Sequence, residues 1–250
     1  MFKTKEGIWI NGGLSLNGKL GDMWFYDIIQ RTWKEKYAYG DVPDPFYDAG
    51  FDDFEFRGIK YFVIGCFGTA TTSATNDLYM FDPLLLNWYK LNNAGKLKPD
   101  GTSHGVPNVN KSCNIKYDNG FIYQWGGTGP TNGVYRYDIA LLGWEKLEST
   151  GEPATQSFFG STIKDGAWIV FPGWDGVHNT DKIYRATLPV SGSNSTTWSE
   201  IPVTKDEAFL ETVFLDAYAF AHIEPYVYFH GGYSELHHQG NFISRINVNL

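Results

Sequence analysis

Short apolar runs that close on glycine recur along the chain, separated by polar stretches. The runs are Ile8-Trp9-Ile10-Asn11-Gly12-Gly13, Tyr61-Phe62-Val63-Ile64-Gly65-Cys66, Ile122-Tyr123-Gln124-Trp125-Gly126-Gly127, Trp168-Ile169-Val170-Phe171-Pro172-Gly173 and Val227-Tyr228-Phe229-His230-Gly231-Gly232. Each predicts a buried strand. After a variable loop comes a second strand, such as Asp77 to Asp82 or Val134 to Asp138, whose alternating large residues fit a sheet packed on both faces. A tight turn then leads to a strand bearing tryptophan. Ahead of every glycine run but the first lies one more strand candidate: Phe51 to Arg57, Ser112 to Tyr117, Phe158 to Lys164 and Val213 to His222.

The turn before the tryptophan is the most regular part of the pattern. Tyr26-Asp27 precedes Trp33, Phe81-Asp82 precedes Trp88, and Tyr137-Asp138 precedes Trp144, each Asp standing six residues before its Trp. That constant interval predicts a hairpin in which Asp27, Asp82 and Asp138 accept bonds from backbone amides of the turn. In the fourth unit Thr187 replaces the Asp, and Pro189 to Asn194 enlarges the turn before Trp198. A period of roughly 50 residues marks a radially repeated β architecture. The repeats fall at about 1–48, 49–110, 111–156, 157–211 and 212–250.

This arrangement of a double glycine, an aromatic residue followed by Asp, and a Trp resembles the kelch repeat over the entire chain. Gly65-Cys66 and Pro172-Gly173 depart from the double glycine, and the fourth unit lacks the aromatic-Asp pair. The resemblance implies an all-β fold, a kelch-type β-propeller of four-stranded antiparallel blades. The first repeat lacks its first strand, and the fifth stops at Leu250 before its Trp strand. Open sheet edges are a liability, so the expectation is part of a six-bladed ring completed by residues outside this chain or by another chain. A five-bladed closure sharing its seam between two shorter blades is the alternative. The repeated tryptophans are read as inter-blade packing.

Composition narrows the partners. The 250 residues are 42% hydrophobic and 17% aromatic, enough for one large all-β domain or two small ones. With a formal charge of −8 and 20 scattered basic residues, no stripe exists to neutralise nucleic acid phosphates or an anionic membrane. No signal-length or membrane-length apolar run appears, so no membrane insertion and a cytoplasmic location are expected. Cys66 and Cys113 are too few for a disulfide framework and suit a reducing compartment, with a single bridge left open.

In an up-and-down blade, the loops after the glycine runs and the connections between repeats emerge on one face. These are the long, varied ones: Leu14 to Gly21, Phe67 to Thr75, Thr128 to Asn132, Trp174 to Asp181 and Tyr233 to Gly240, with the connections Tyr39 to Ala49 and Asn92 to Asn110. Variable loops on a rigid frame are where binding resides. Within them Trp174, Asp175 and His178 of one loop and Tyr233, Glu235 and His237 of the next are the candidate partner-binding residues, aromatic anchors with polar neighbours. The competing reading packs Trp174 and Tyr233 across neighbouring loops. His237 and His238, adjacent in an extended segment, point to opposite sides and make a poor metal pair.

The reading is a non-catalytic protein-binding scaffold or adaptor, with no catalytic residue, metal or cofactor and with a protein as partner. A kelch-like enzyme, a metal-dependent oxidase or lyase, is the alternative. The copper radical oxidases among such propellers link a cysteine to a tyrosine beside paired histidines, and Cys66 has no such histidines nearby. The iron-dependent specifier proteins space Glu, Asp and His by four, whereas Glu211, Asp216 and His222 fall at steps of five and six. A ubiquitin-ligase substrate receptor is the third option, and no BTB or F-box portion lies in the 250 residues.

Overall fold

The computed structural model describes residues 1–202 except 92–93, 98–100, 104, 130–132, 179, 181 and 191, together with 219–223, 226–232 and 243–247. Among the described residues every regular element is a β-strand, and no helix is long and apolar enough to cross a membrane. The chain divides into two compact units, Met1–Gln124 with Tyr135–Lys146, and Trp125–Val134 with Leu147–Leu250.

The first unit holds three large sheets. The first is antiparallel, with β1 (Phe2–Lys3), β2 (Gly7–Ser15), β3 (Gly18–Asp27) and β4 (Thr32–Lys36) in chain order. Strand β1 corrects the expectation that the first repeat lacks its opening strand: Phe2 pairs with Trp9 and Lys3 with Ile8. Two residues are too few to show a period, yet they hold because the Phe2 ring is buried and stacked on Phe62 at 4.4 Å. The segment read as a loop, Leu14 to Gly21, instead continues the β2–β3 hairpin past a register shift between Asn11 and Gly13.

Four more segments precede the third sheet and its neighbours: β5 (Tyr39–Gly40), β6 (Phe46–Tyr47), β7 (Gly50–Phe56) and β8 (Ile59–Gly65). They are followed by β9 (Gly68–Thr69), β10 (Leu78–Asp82) and β11 (Asn87–Lys90). The second sheet runs β5-β11-β10-β8-β7, and β6 pairs separately with β9. The third contains β12 (Asn114–Asp118), β13 (Phe121–Trp125), β14 (Tyr135–Asp138) and β15 (Gly143–Lys146), neighbours in that order. In the second unit β16 (Glu148–Thr150), β17 (Ser161–Lys164), β18 (Ala167–Val170), β19 (Ile183–Thr187) and β20 (Ser195–Ile201) form a sheet ordered β16-β20-β19-β18-β17. The last sheet is β21 (Ala219–Ile223), β22 (Tyr226–His230) and β23 (Ile243–Asn247).

Two sheets therefore have five strands, and the fifth is parallel. Strand β5 runs parallel to β11, and β16 parallel to β20, while Gly95 makes a single parallel bridge to Trp144. In each case the chain leaving one Trp strand lies along the outer edge of the next and covers its backbone donors and acceptors. Gly40 allows this contact, since its φ is 78° and any Cβ there would run into the Trp88 carbonyl oxygen.

The predicted turns form. Asp27 Oδ1 accepts the amides of Ile29 and Gln30, Asp82 Oδ1 those of Leu84 and Leu85, and Asp138 Oδ1 those of Ala140 and Leu141, at 2.8–3.1 Å. In the fourth repeat, where Thr187 replaces the Asp, its hydroxyl accepts the Thr197 amide at 3.0 Å.

Side chains alternate across the strands into two cores of the first unit. Phe62, Phe81 and Trp88 are sealed against Phe2, Trp9 and Met23 of the first sheet. Ile122, Tyr137 and Trp144 are sealed against Phe54 and Val63 of the second and against Leu91, which follows β11. In the second unit Ile169 and Phe171 meet Val227 and Phe229. Trp198 lies 4.8 Å from Trp125, which ends β13 and belongs to that unit. Trp33 is different: it is 49% exposed, so the reading of every repeated tryptophan as a packed one fails for the first.

Cys66 and Cys113 form a disulfide, joining the end of β8 to the segment entering β12. Such bonds persist in oxidising compartments, the opposite of what the low cysteine count suggests. The bond also removes Cys66 from any cysteine–tyrosine link. Register places Cys66 where other repeats have their first glycine: Ile8, Phe62 and Ile122 are equivalent by pairing with Tyr26, Phe81 and Tyr137, and four residues on stand Gly12, Cys66 and Gly126. All three have left-handed φ values, 68°, 50° and 79°. The double glycine is thus replaced by Cys66-Phe67, one residue later than the sequence alignment of Gly65-Cys66 puts it.

Candidate binding face

The loops after the glycine runs and the connections between repeats meet along backbone hydrogen bonds. In the first unit Phe46 and Tyr47 of a connection pair with Thr69 and Gly68 of a loop, and Thr75 exchanges amide bonds with Asn110 at 3.1 and 3.2 Å. In the second unit Ser157 exchanges them with Trp174 at 2.8 and 2.9 Å, and the Gly127 amide donates to the Gln156 carbonyl at 2.7 Å. Within each unit, then, the two classes of variable segment share one end of the sheets. The pairing has a local cause: a polar backbone leaving a sheet finds its partners on the neighbouring segment and not in an apolar core.

The loop carrying three of the candidates is closed on itself. The Thr180 amide donates to the Gly173 carbonyl at 2.7 Å, and the Gly173 amide to the Thr180 hydroxyl at 3.0 Å. Asp175 Oδ1 accepts the amides of Val177 and His178, both at 2.8 Å. These donors, the His178 amide foremost, hold the Asp175 carboxyl below the usual carboxylate range. Asp175 is thereby a turn-maker, while Val177 and His178 are presented to solvent. Trp174 is half-buried, its backbone committed to Ser157. Tyr233, Glu235 and His237 lie outside the described residues.

The first unit adds features outside the candidates that the sequence offers. The β2–β3 hairpin carries Leu14, Leu16 and Leu20 exposed around its tip, with Leu16 fully so. Its base is fixed, because Gly12 sits against the Phe46 ring with no room for a Cβ. Nearby, the Tyr47 ring takes Lys111 at 4.8 Å and Lys19 at 5.4 Å, and Lys111 also pairs with Asp48 at 3.4 Å. The sequence signal for the hairpin was present: three leucines alternate with polar residues around Asn17-Gly18, a turn pair flanked by strand-like spacing. Among the described residues no group of three His, Cys, Asp or Glu side chains lies together as a metal set would require.

No protein-family model matches the chain. It is similar to the leucine-zipper-like transcriptional regulator 1 homolog of Drosophila melanogaster, with 24% identity over 173 residues, which span 66% of this chain and 17% of that protein. The chain thus corresponds to a small part of the length of this relative.

Proposed function

We propose that the chain is a kelch-type β-propeller segment that works as a non-catalytic scaffold or adaptor, holding a protein partner on the paired loops and connections that each of its units presents. The observation that carries this reading is the hydrogen-bonded pairing of those segments, Phe46–Tyr47 with Gly68–Thr69 and Ser157 with Trp174. It supports a firm surface from the most variable parts of the chain, which lowers the ordering cost of binding. Each unit offers its own contacts: the exposed leucines of the β2–β3 hairpin in the first, and the Val177–His178 tip in the second. A relative named as a regulator homolog is compatible with a role in holding other proteins.

The test is affinity capture with matched baits, the wild-type chain against Leu16→Asp and against Trp174→Ala, read by quantitative mass spectrometry. Proteins retained by the wild type and depleted by either variant, with circular dichroism unchanged, support the face. Capture that is identical for all three baits removes it.

A further inference from the structure

Two tripeptides in the chain have the Asn-X-Ser/Thr form that accepts an oligosaccharide, Asn110-Lys111-Ser112 and Asn194-Ser195-Thr196. Such a tripeptide arises easily by chance. It has chemistry only in a secretory compartment, and it keeps a glycan in the folded protein only where the asparagine reaches the surface. The disulfide between Cys66 and Cys113 meets the first condition, since such bonds form and persist where thiols are oxidised. Burial separates the two tripeptides on the second.

Asn110 is sealed. It is 3% exposed, its backbone exchanges amide bonds with Thr75, and its Oδ1 accepts the Lys111 amide at 2.9 Å. Ser112 is buried as well, its amide donating to the Asp48 and Cys66 carbonyls at 2.8 and 3.1 Å. A bulky glycan on Asn110 is incompatible with this packing, so folded molecules carry that residue bare.

Asn194 stands in the opposite setting. The fourth repeat departs from the Asp-to-Trp hairpin at Thr187, and the enlarged turn from Pro189 to Asn194 joins β19 to β20. The turn has open space around it: Val190 is 76% exposed, and a Cβ on Gly192 would meet no neighbour. Asn194 is partly exposed and Ser195 exposed. The Asn194 carbonyl accepts the Glu148 amide at 2.8 Å, which fixes its backbone without engaging its side chain. Thr196 is buried, its hydroxyl donating to the Thr187 carbonyl at 2.8 Å. Transfer takes place on the extended chain before folding, so that later burial does not oppose it.

We infer that Asn194 carries an N-linked glycan and that Asn110 does not. The donor is an oligosaccharide borne on a polyprenyl diphosphate. Asn194 Nδ2 bonds to its anomeric carbon and loses a proton to base, while the bond from that carbon to the diphosphate oxygen breaks and releases the polyprenyl diphosphate. In the second unit the glycan stands clear of the loop that bears Val177 and His178. That loop leads into Ile183 at one end of β19, whereas the turn begins after Thr187 at the other. The modification does not depend on what the loop binds.

The test sends the 250-residue chain into the endoplasmic reticulum of cultured eukaryotic cells behind a cleavable leader and recovers the folded protein. Treatment with a peptide N-glycosidase in heavy-oxygen water is expected to raise gel mobility by one step and to leave the mass label at position 194, with Asn110 unlabelled. Asn194→Gln should lose the step, its circular dichroism unchanged. Ser112→Ala should keep it, since that variant removes the second tripeptide and a hydroxyl that has no hydrogen-bond partner among the described residues. Mobility that does not change in the wild type overturns the inference. So does label at Asn110, a step that survives in Asn194→Gln, or recovery of Cys66 and Cys113 as free thiols.

Discussion

Cys66, which stands in the left-handed conformation that the neighbouring repeats give to glycine, is bonded to Cys113 across two sheets of the first unit. The bond closes a segment of 47 residues, so its loss frees a long loop in the unfolded chain. Reduction, or Cys113→Ser, is expected to lower stability by about 2–4 kcal/mol. Urea denaturation with and without reductant measures the difference. Thiol titration of native protein made in an oxidising medium should find no free thiol, and two reactive thiols there would contradict the bond.

Arg136 and Glu145 face each other on adjacent strands, with Nε and one terminal nitrogen of Arg136 both 2.8 Å from Glu145 Oε2. Lys96 completes the group, 3.7 Å from Glu145 and 3.2 Å from Asp138. Glu145→Ala takes the carboxylate away from the buried Arg136 guanidinium and is expected to cost about 3–5 kcal/mol, the penalty of breaking a buried ion pair. The double variant Arg136→Met, Glu145→Leu should be much milder, since it removes both charges and refills their space. Denaturation midpoints of the two variants decide this.

Asp82 is buried and binds two amides of its turn, so Asp82→Ala should destabilise by about 1–3 kcal/mol, leaving both donors without a partner. Asp27 makes the equivalent bonds at an exposed turn, where water replaces the lost acceptor, and Asp27→Ala should have the smaller effect. Equilibrium unfolding of the pair gives the ranking.

The Asp175 carboxyl is depressed by the amides it accepts, His178 first. A depressed carboxylate contributes stability above its unfolded pKa of about 3.9 and loses it as pH falls through the folded value. The 174–178 turn should therefore stay closed at neutral pH and loosen only below about pH 4. NMR titration of the Val177 and His178 amide protons should show a midpoint under the ordinary carboxylate range. In Asp175→Ala that transition should be absent.

Much of the fold was legible because it rests on near neighbours. The Asp-to-Trp interval specifies a hairpin whose turn amides lie two and three residues from the Asp, and the structure returns those bonds at Asp27, Asp82 and Asp138. The glycine runs specify strands because their apolar side chains alternate. Register escaped the reading at Cys66, since a bonded cysteine in left-handed conformation looks nothing like glycine in a string of letters. Of the candidate site, Trp174, Asp175 and His178 do share one loop, yet Asp175 is spent on that loop's own amides. The exposed leucines of the β2–β3 hairpin are not among the candidates, because the sequence pattern places them in a loop.

Strands, hairpins and their order thus follow from the chain alone, because period and turn chemistry act within about ten residues. Which edges are covered does not, since β5 reaches β11 across nearly fifty residues and pairs through backbone groups that carry no residue code. Trp33 and Trp88 have the same local sequence setting and opposite fates, one half exposed and one sealed. Burial belongs to the pair of surfaces that meet, and a sequence repeat describes only one of them.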